Sequence, residues 1–160
     1  MRRTLTGIEV TQAHGPTDDV GLLIGELEAE LLQHYRPEQR HGLKLDALFQ
    51  PHIRFFTARL DGRPAGCGGI ALFTDFAELK RMYVRPDARG RGVADAILAR
   101  LMEEAAAAGL AVVRLETGTA QAAAIRFYRR AGFARCAAFE PYRSMPPKNI
   151  ATSVFMEKRL

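Results

Sequence analysis

One segment constrains the fold more than any other: Val84-Arg85-Pro86-Asp87-Ala88-Arg89-Gly90-Arg91-Gly92-Val93-Ala94. An apolar strand runs into it and stops at Pro86, which lacks the amide that a ladder needs. A helix leaves it, because Val93, Ile97, Leu98, Leu101 and Met102 recur at helical spacing. A strand, a tight turn and a long helix in succession require a sheet with a helix laid on it, which places the chain in the mixed α/β class. The turn also has the grammar of an anion site. Glycines let the backbone come close, the unpaired amides of a helix start point outward, and the helix dipole adds about half a positive charge there.

Charge gathers at the same place. The 160 residues carry 23 Lys and Arg against 18 Asp and Glu, a net charge of +5. Lys80, Arg81, Arg85, Arg89 and Arg91 fall in one short stretch whose single acid is Asp87. A nucleic-acid surface would be wider and would interleave aromatic residues for stacking, whereas this stretch offers only Tyr83. A compact phosphate-bearing ligand is therefore expected, and no nucleic acid. Gly-Lys-Ser/Thr is missing, and Gly90-x-Gly92 leads to Asp95 rather than a third glycine, so neither a Walker loop nor a dinucleotide fingerprint is present.

Periodicity and chain breakers order the rest. A first strand is expected over 3–13, with Leu5, Ile8 and Val10. A helix follows from a Thr17 cap to about His34, with Leu23, Ile24, Leu27 and Leu31 on one face, and then a second short helix or ordered loop up to Phe49. Asp61-Gly62 signals a hairpin between strands over 53–60 and 65–73, and a third strand covers 76–84. The helix entered at Gly92 stops at Gly109. A strand over 111–116, a helix over 121–130 capped by Gly132, and a strand over 133–139 come next. Glu140 to Asn149 reads as a loop, and Ala151 to Leu160 as an edge-type strand. This is one mixed α/β (α+β) domain over 1–160, with about seven strands and about four helices.

Composition excludes several classes. Apolar residues at 48% and charged residues at 26% describe a soluble globular chain. The apolar stretch from Ala105 to Val113 is far short of the roughly 18 residues a membrane span needs, so no membrane is expected. No secretory core follows Met1, and a cytoplasmic protein is expected. Cys67 and Cys136 make no Cys-x-x-Cys pair, and His14, His34, His41 and His52 lack ligand spacing, so no metal is expected.

Arg89-x-x-Gly92-x-Ala94 resembles the pyrophosphate-binding turn of the GCN5-related N-acetyltransferases. Glu78-Leu79-Lys80-Arg81-Met82-Tyr83-Val84-Arg85-Pro86 looks like the strand leading into that turn. Ala124-Ile125-Arg126-Phe127-Tyr128-Arg129-Arg130-Ala131-Gly132-Phe133 is similar to the family's second signature, a helix with a Phe-Tyr pair ending in Gly-Phe. The element order is also the family's. Ala94 stands where glycine is commoner, and Thr119-Ala120-Gln121 lacks the asparagine that many members carry.

The resemblance implies a mostly antiparallel central sheet. It also implies transfer of an acetyl group from acetyl-CoA to the amine of a small molecule, by direct attack with both bound. On the family's pattern Glu78 is the base, through water, and Tyr128 the acid for the departing thiolate. Met82, Tyr83 and Val84 run along the pantetheine arm, and the Met82 amide serves the oxyanion. Arg89, Gly90, Arg91, Gly92, Val93 and Ala94 take the pyrophosphate, and Tyr128 also belongs to the cofactor site. The acceptor enters over the first two helices and the loop before the last strand, which names Tyr35, Arg36, Tyr142 and Arg143. Either arginine could pair with an acceptor carboxylate. These stretches are polar and small, which favours a small molecule over a protein N-terminus or lysine. A non-catalytic acyl-CoA sensor would need only the phosphate turn, whereas Glu78 and Tyr128 are both retained. The family also forms homodimers, in which the last strand could pair across the interface.

Overall fold

The computed structural model describes residues 2–3 and 7–160. β1 (Arg2–Arg3) pairs antiparallel with β2 (Ile8–Ala13); of the first expected strand, Leu5 lies outside the described residues. Thr17 caps α1 (Asp18–Leu32), its side chain accepting from the Val20 amide, and Asp18 and Asp19 lie at the positive end of the dipole. The helix ends before His34, because the Gln33 and His34 amides turn back to the carbonyls of Glu30 and Leu31 and tighten the last turn. Of the two alternatives expected here the chain takes the ordered loop, built around short 3₁₀ segments at 37–39 and 45–49. Arg36 and Lys44, which precede them, are extended. Between the turns Gly42 lies directly on Arg81: a Cβ there would stand 2.1 Å from Arg81 Nη1.

β3 (Ile53–Leu60), β4 (Arg63–Leu72) and β5 (Ala77–Val84) form the expected meander. Asp61 and Gly62, at φ 50° and 82°, make the hairpin turn between the first two. α2 (Val93–Ala107) lies across this meander, with Val93, Ile97, Leu101 and Ala105 buried against Phe56, Ile70 and Leu79. β6 (Val112–Gly118) and α3 (Ala122–Arg130) follow, and Gly132 closes the latter at φ 98°. β7 (Ala134–Arg135) is far shorter than the strand expected to reach Phe139. The Cys136 amide still bonds Phe155, but the chain then leaves the sheet so that Phe139 and Tyr142 stack on Phe155. The expected loop over 140–149 contains a 3₁₀ turn at 142–144 and α4 (Pro147–Ile150), which starts on a proline. β8 (Ser153–Arg159) is not an edge. It pairs along its length with β6, and β7 covers part of its other side.

The sheet order is β1-β2-β3-β4-β5-β6-β8-β7, and all neighbours are antiparallel except β5 and β6. Neighbouring residues on β3 show its two faces. Phe56 belongs to the core under α2 and α3, whereas Phe55 packs with Cys67 and Tyr83 against Val20, Leu23 and Leu27 of α1. Phe139, Tyr142 and Phe155 form a third cluster. The mixed α/β architecture, mostly antiparallel sheet and four helices agree with expectation once β1 and β7 are recognised as two-residue pieces. No helix among the described residues is long and apolar enough to cross a membrane.

Candidate functional site

The two parallel strands separate almost as soon as they meet. β5 and β6 pair at Ala77 with Val113 and at Glu78 with Arg114, and the ladder goes no further. Just beyond that point β5 carries a bulge. Arg81 has φ 56°, and Arg81 and Met82 together face the single residue Gly68 across the β4–β5 pairing. Gly68 is required there, since a Cβ would stand 2.4 Å from Met82 Sδ and 2.8 Å from Ile97 Cγ2. The extra residue resets the alternation. Ala77 and Leu79 face the α2 core, and so do Met82 and Val84, while Tyr83 turns to α1. A non-glycine residue held at positive φ in a buried strand is strain of the kind that collects at functional sites.

The wedge opens onto a groove of about 540 Å³ on the α2 side. Met82, Tyr83, Val84, Gly90, Gly92, Ala94 and Phe127 are among its walls. Gly90 and Gly92 sit at φ 76° and 87°, where side chains are strained, and Gly92 starts α2 with no side-chain cap. The Ala96 amide closes the first turn on Gly92 O, so the amides before it have no partner inside the helix. Arg89 borders the groove, bonding Val84 O at 2.9 Å and Glu30 at 3.3 Å. An unpaired helix start beside two glycines and an arginine fits the phosphates of coenzyme A.

On the other side lies a smaller cleft of about 140 Å³, bounded by α1, the residues after it, β5 and β6. Glu78 is buried at its base. Its Oε2 accepts from Tyr142 at 2.5 Å and pairs with Lys80 Nζ at 3.0 Å, and Lys80 also donates to the Tyr142 oxygen at 2.8 Å. Burial and the adjacent Glu78 charge push the Tyr142 phenol well above its usual range. Across the wedge Glu116 accepts from Ser153 at 2.7 Å. Burial pushes Glu116 up to about 7, with Ser153 and Lys80 pulling against it and Glu78 adding to it. Tyr35 fits over β6 because residue 118 is glycine, and its hydroxyl accepts from the Ala120 amide at 3.1 Å.

The groove and the cleft share a wall made of Leu27, Met82, Gln121, Ala124 and Tyr128. Tyr128 is buried, and burial raises its phenol above the ordinary tyrosine range. Its hydroxyl has no hydrogen-bond partner among the described residues.

The model of the acetyltransferase (GNAT) family matches residues 23–133. The chain belongs to the GNAT family of acetyltransferases. It is similar to an IAA acetyltransferase of Azospirillum brasilense, with 45% identity over 89% of this chain and 92% of the relative. It is also similar to the uncharacterized N-acetyltransferase YsnE of Bacillus subtilis, 35% identical over 78% of this chain and 81% of the relative. Among solved structures, one described as an acyl-CoA N-acyltransferase from Klebsiella pneumoniae matches with TM-score 0.73 and 33% identity, over 96% and 97% of the two chains. The PaiA N-acetyltransferase of Thermoplasma acidophilum, in complex with coenzyme A, shares the fold with TM-score 0.69 at 16% identity, over 96% and 99%.

On this GNAT fold the residues expected from sequence divide. Met82, Tyr83, Val84, Arg89, Gly90, Gly92, Val93, Ala94 and Tyr128 border the groove, whereas Arg91 stands outside it with Asp61 3.8 Å away. The Tyr83 hydroxyl donates to Glu26 on α1. Glu78, Tyr128, Tyr35 and Tyr142 meet at the cleft, while Arg36 and Arg143 do not reach it. Arg143 is spent on Glu140 within its own loop, and Arg36 precedes the turn that carries Arg40 and His41 inward. Glu116, Arg40 and Gln121 were not singled out. A carboxylate ending a short apolar strand is the one signal that could have found Glu116. Among the described residues no group of three His, Cys, Asp or Glu side chains is placed to hold a metal.

Proposed function

We propose that the protein acetylates the amine of a small molecule, with acetyl-CoA and the acceptor bound together on opposite sides of the β5–β6 wedge. The observation that carries this reading is the shared wall, where Tyr128 borders both the glycine-turn groove and the carboxylate-lined cleft. Acetyl-CoA supplies the activated acyl group when bound. The amides at the start of α2 would hold its phosphates, and the free edge of β5 at Met82 and Val84 would hold its pantetheine arm in strand-like pairing. The small cleft admits an acceptor of metabolite size more readily than a folded protein surface.

Two proton transfers are needed. Tyr128, with its hydroxyl unengaged and its phenol kept protonated by burial, donates to the departing sulfur. The ammonium of the acceptor must lose a proton before attack. Glu78, the expected base, has its Oε2 occupied by Tyr142 and Lys80, which suits it to anchoring the cleft floor. Glu116 lines the same cleft, accepts from Ser153 through one oxygen and is pushed up to about 7 by burial, which makes it the better suited acceptor of that proton.

Thiol release from acetyl-CoA, measured with a panel of small amines and with IAA, tests the reading. Tyr128→Phe is expected to lower the rate at saturating amine about 100-fold or more while acetyl-CoA still raises the melting temperature. An unchanged rate in that variant removes Tyr128 from the chemistry.

A further inference from the structure

The acceptor cleft holds a charge arrangement that acetyl transfer itself does not require. Arg81, brought inward by the β5 bulge, and Arg40, brought inward after the 37–39 turn, both lean on Glu28 of α1. Glu28 Oε1 accepts from Arg81 Nη2, and Glu28 Oε2 accepts from Arg40 Nη1 at 3.4 Å. Two guanidinium groups thus share one carboxylate. Arg81 is 4% exposed and is further held by the Leu43 carbonyl at 3.0 Å. Arg40 is held less completely: its Nε is buried without a hydrogen-bond partner, and it is 20% exposed at the cleft. Lys80 has its own counter-charge in Glu78, so the Arg40–Arg81–Glu28 group carries one positive charge in excess. A partly buried cation left short of counter-charge and of acceptors is costly unless a ligand supplies both.

We propose that the acceptor brings its own carboxylate: it is an amino acid or a similarly short amino-carboxylate, with its carboxylate on the Arg40 guanidinium and its amine toward Glu116 and Tyr128. The planar fork of arginine matches a carboxylate with two parallel donors, which a lysine could not do. A cleft of about 140 Å³ suits a molecule of this size. The inference rests on the proposed function and narrows its substrate class.

The test compares each amino acid of a panel with its own carboxamide, by thiol release at saturating acetyl-CoA. The acid is expected to be the better substrate by roughly 10- to 100-fold in kcat/KM, with the difference in KM. Arg40→Gln should raise KM for the acid by a similar factor and leave the carboxamide within about 3-fold, abolishing the discrimination. Glu28→Gln should do the opposite, because it enlarges the positive excess, and KM for the acid should fall or hold. A merely structural Arg40–Glu28 pair would make both variants lose both substrates alike, and that result overturns the inference. So does equal use of acid and carboxamide, which leaves the acetyltransferase reading intact. If no amine of either kind releases thiol, the proposed function fails and this inference falls with it.

Discussion

Two carboxylates on neighbouring strands meet different partners. Glu78 meets a tyrosine hydroxyl and an ammonium, whereas Glu116 meets a serine hydroxyl and is otherwise stripped of water. The value of about 7 for Glu116 lies above the ordinary 4.5. Between those two values the folded chain holds a proton that the unfolded chain has released. Stability contributed by this group is therefore full below about 4.5, falls as pH rises through the interval, and is lost above about 7. Glu116→Gln removes the buried charge. It should melt several degrees above the unsubstituted protein near pH 8 and close to it near pH 5. The same variant should lose the rise of kcat/KM centred near pH 7 and fall about 100-fold in rate on the alkaline side. Melting curves and thiol release across this range check both. A rate profile that keeps its inflection in Glu116→Gln would move the base elsewhere, with Glu78 the next carboxylate to substitute. The sequence marked Glu78 because a motif surrounds it. Glu116 owes its raised state to burial, against the pull of Ser153, 37 residues later, and neither its burial nor that partner is displayed by a local pattern.

At the scale of elements, what was legible was what repeats. The apolar spacing of α2 and the Asp61-Gly62 turn are local, and both elements appear where they were placed. The β5 bulge was not read from the sequence, although the consecutive polar pair Lys80-Arg81 breaks the alternation between Leu79 and Met82, because nothing in Arg81 announces positive φ. The strand over 133–139 failed for a similar reason: Phe139 is as content in an aromatic cluster as in a ladder. The segment after α1 is fastened by one such non-local fit. Tyr35 crosses to the β6–α3 turn and fills the space a side chain at 118 would need; a Cβ there would lie 1.8 Å from its hydroxyl. Gly118→Ala should cost about 1–3 kcal/mol by overpacking. Tyr35→Ala should cost about 3 kcal/mol by emptying the same space. Adding Gly118→Ala to Tyr35→Ala should then cost almost nothing. Chemical denaturation of the four proteins gives the coupling directly, and strict additivity would mean that Tyr35 does not occupy this position in solution.

On the proposed reading the cofactor site takes its parts from across the chain. The turn between β5 and α2 would supply the anion site, α1 reaches that turn through Glu30 and Arg89, and Phe127 and Tyr128 of α3 line the same groove. If the chain unfolds as one unit, a ligand held by all of these stabilises the entire chain. Acetyl-CoA at about 100 times its dissociation constant should add about 2.7 kcal/mol. For a domain of this size that is worth roughly 5 to 10 °C in melting temperature. The two ends of α2 provide an internal control. Gly92 and Gly109 stand at φ 87° and 76°, so a side chain at either is strained whatever surrounds it. Gly92→Glu and Gly109→Glu should therefore each lose about 1 kcal/mol or more without ligand. Their responses to acetyl-CoA should differ. A carboxylate at 92 projects from the helix start that receives the phosphates, and the ligand-induced shift should vanish. At 109 it lies beyond the far end of the helix, and the full shift should remain. Loss of the shift in both variants would mean that α2 as a whole had been damaged, and retention in both would place the phosphates away from this turn.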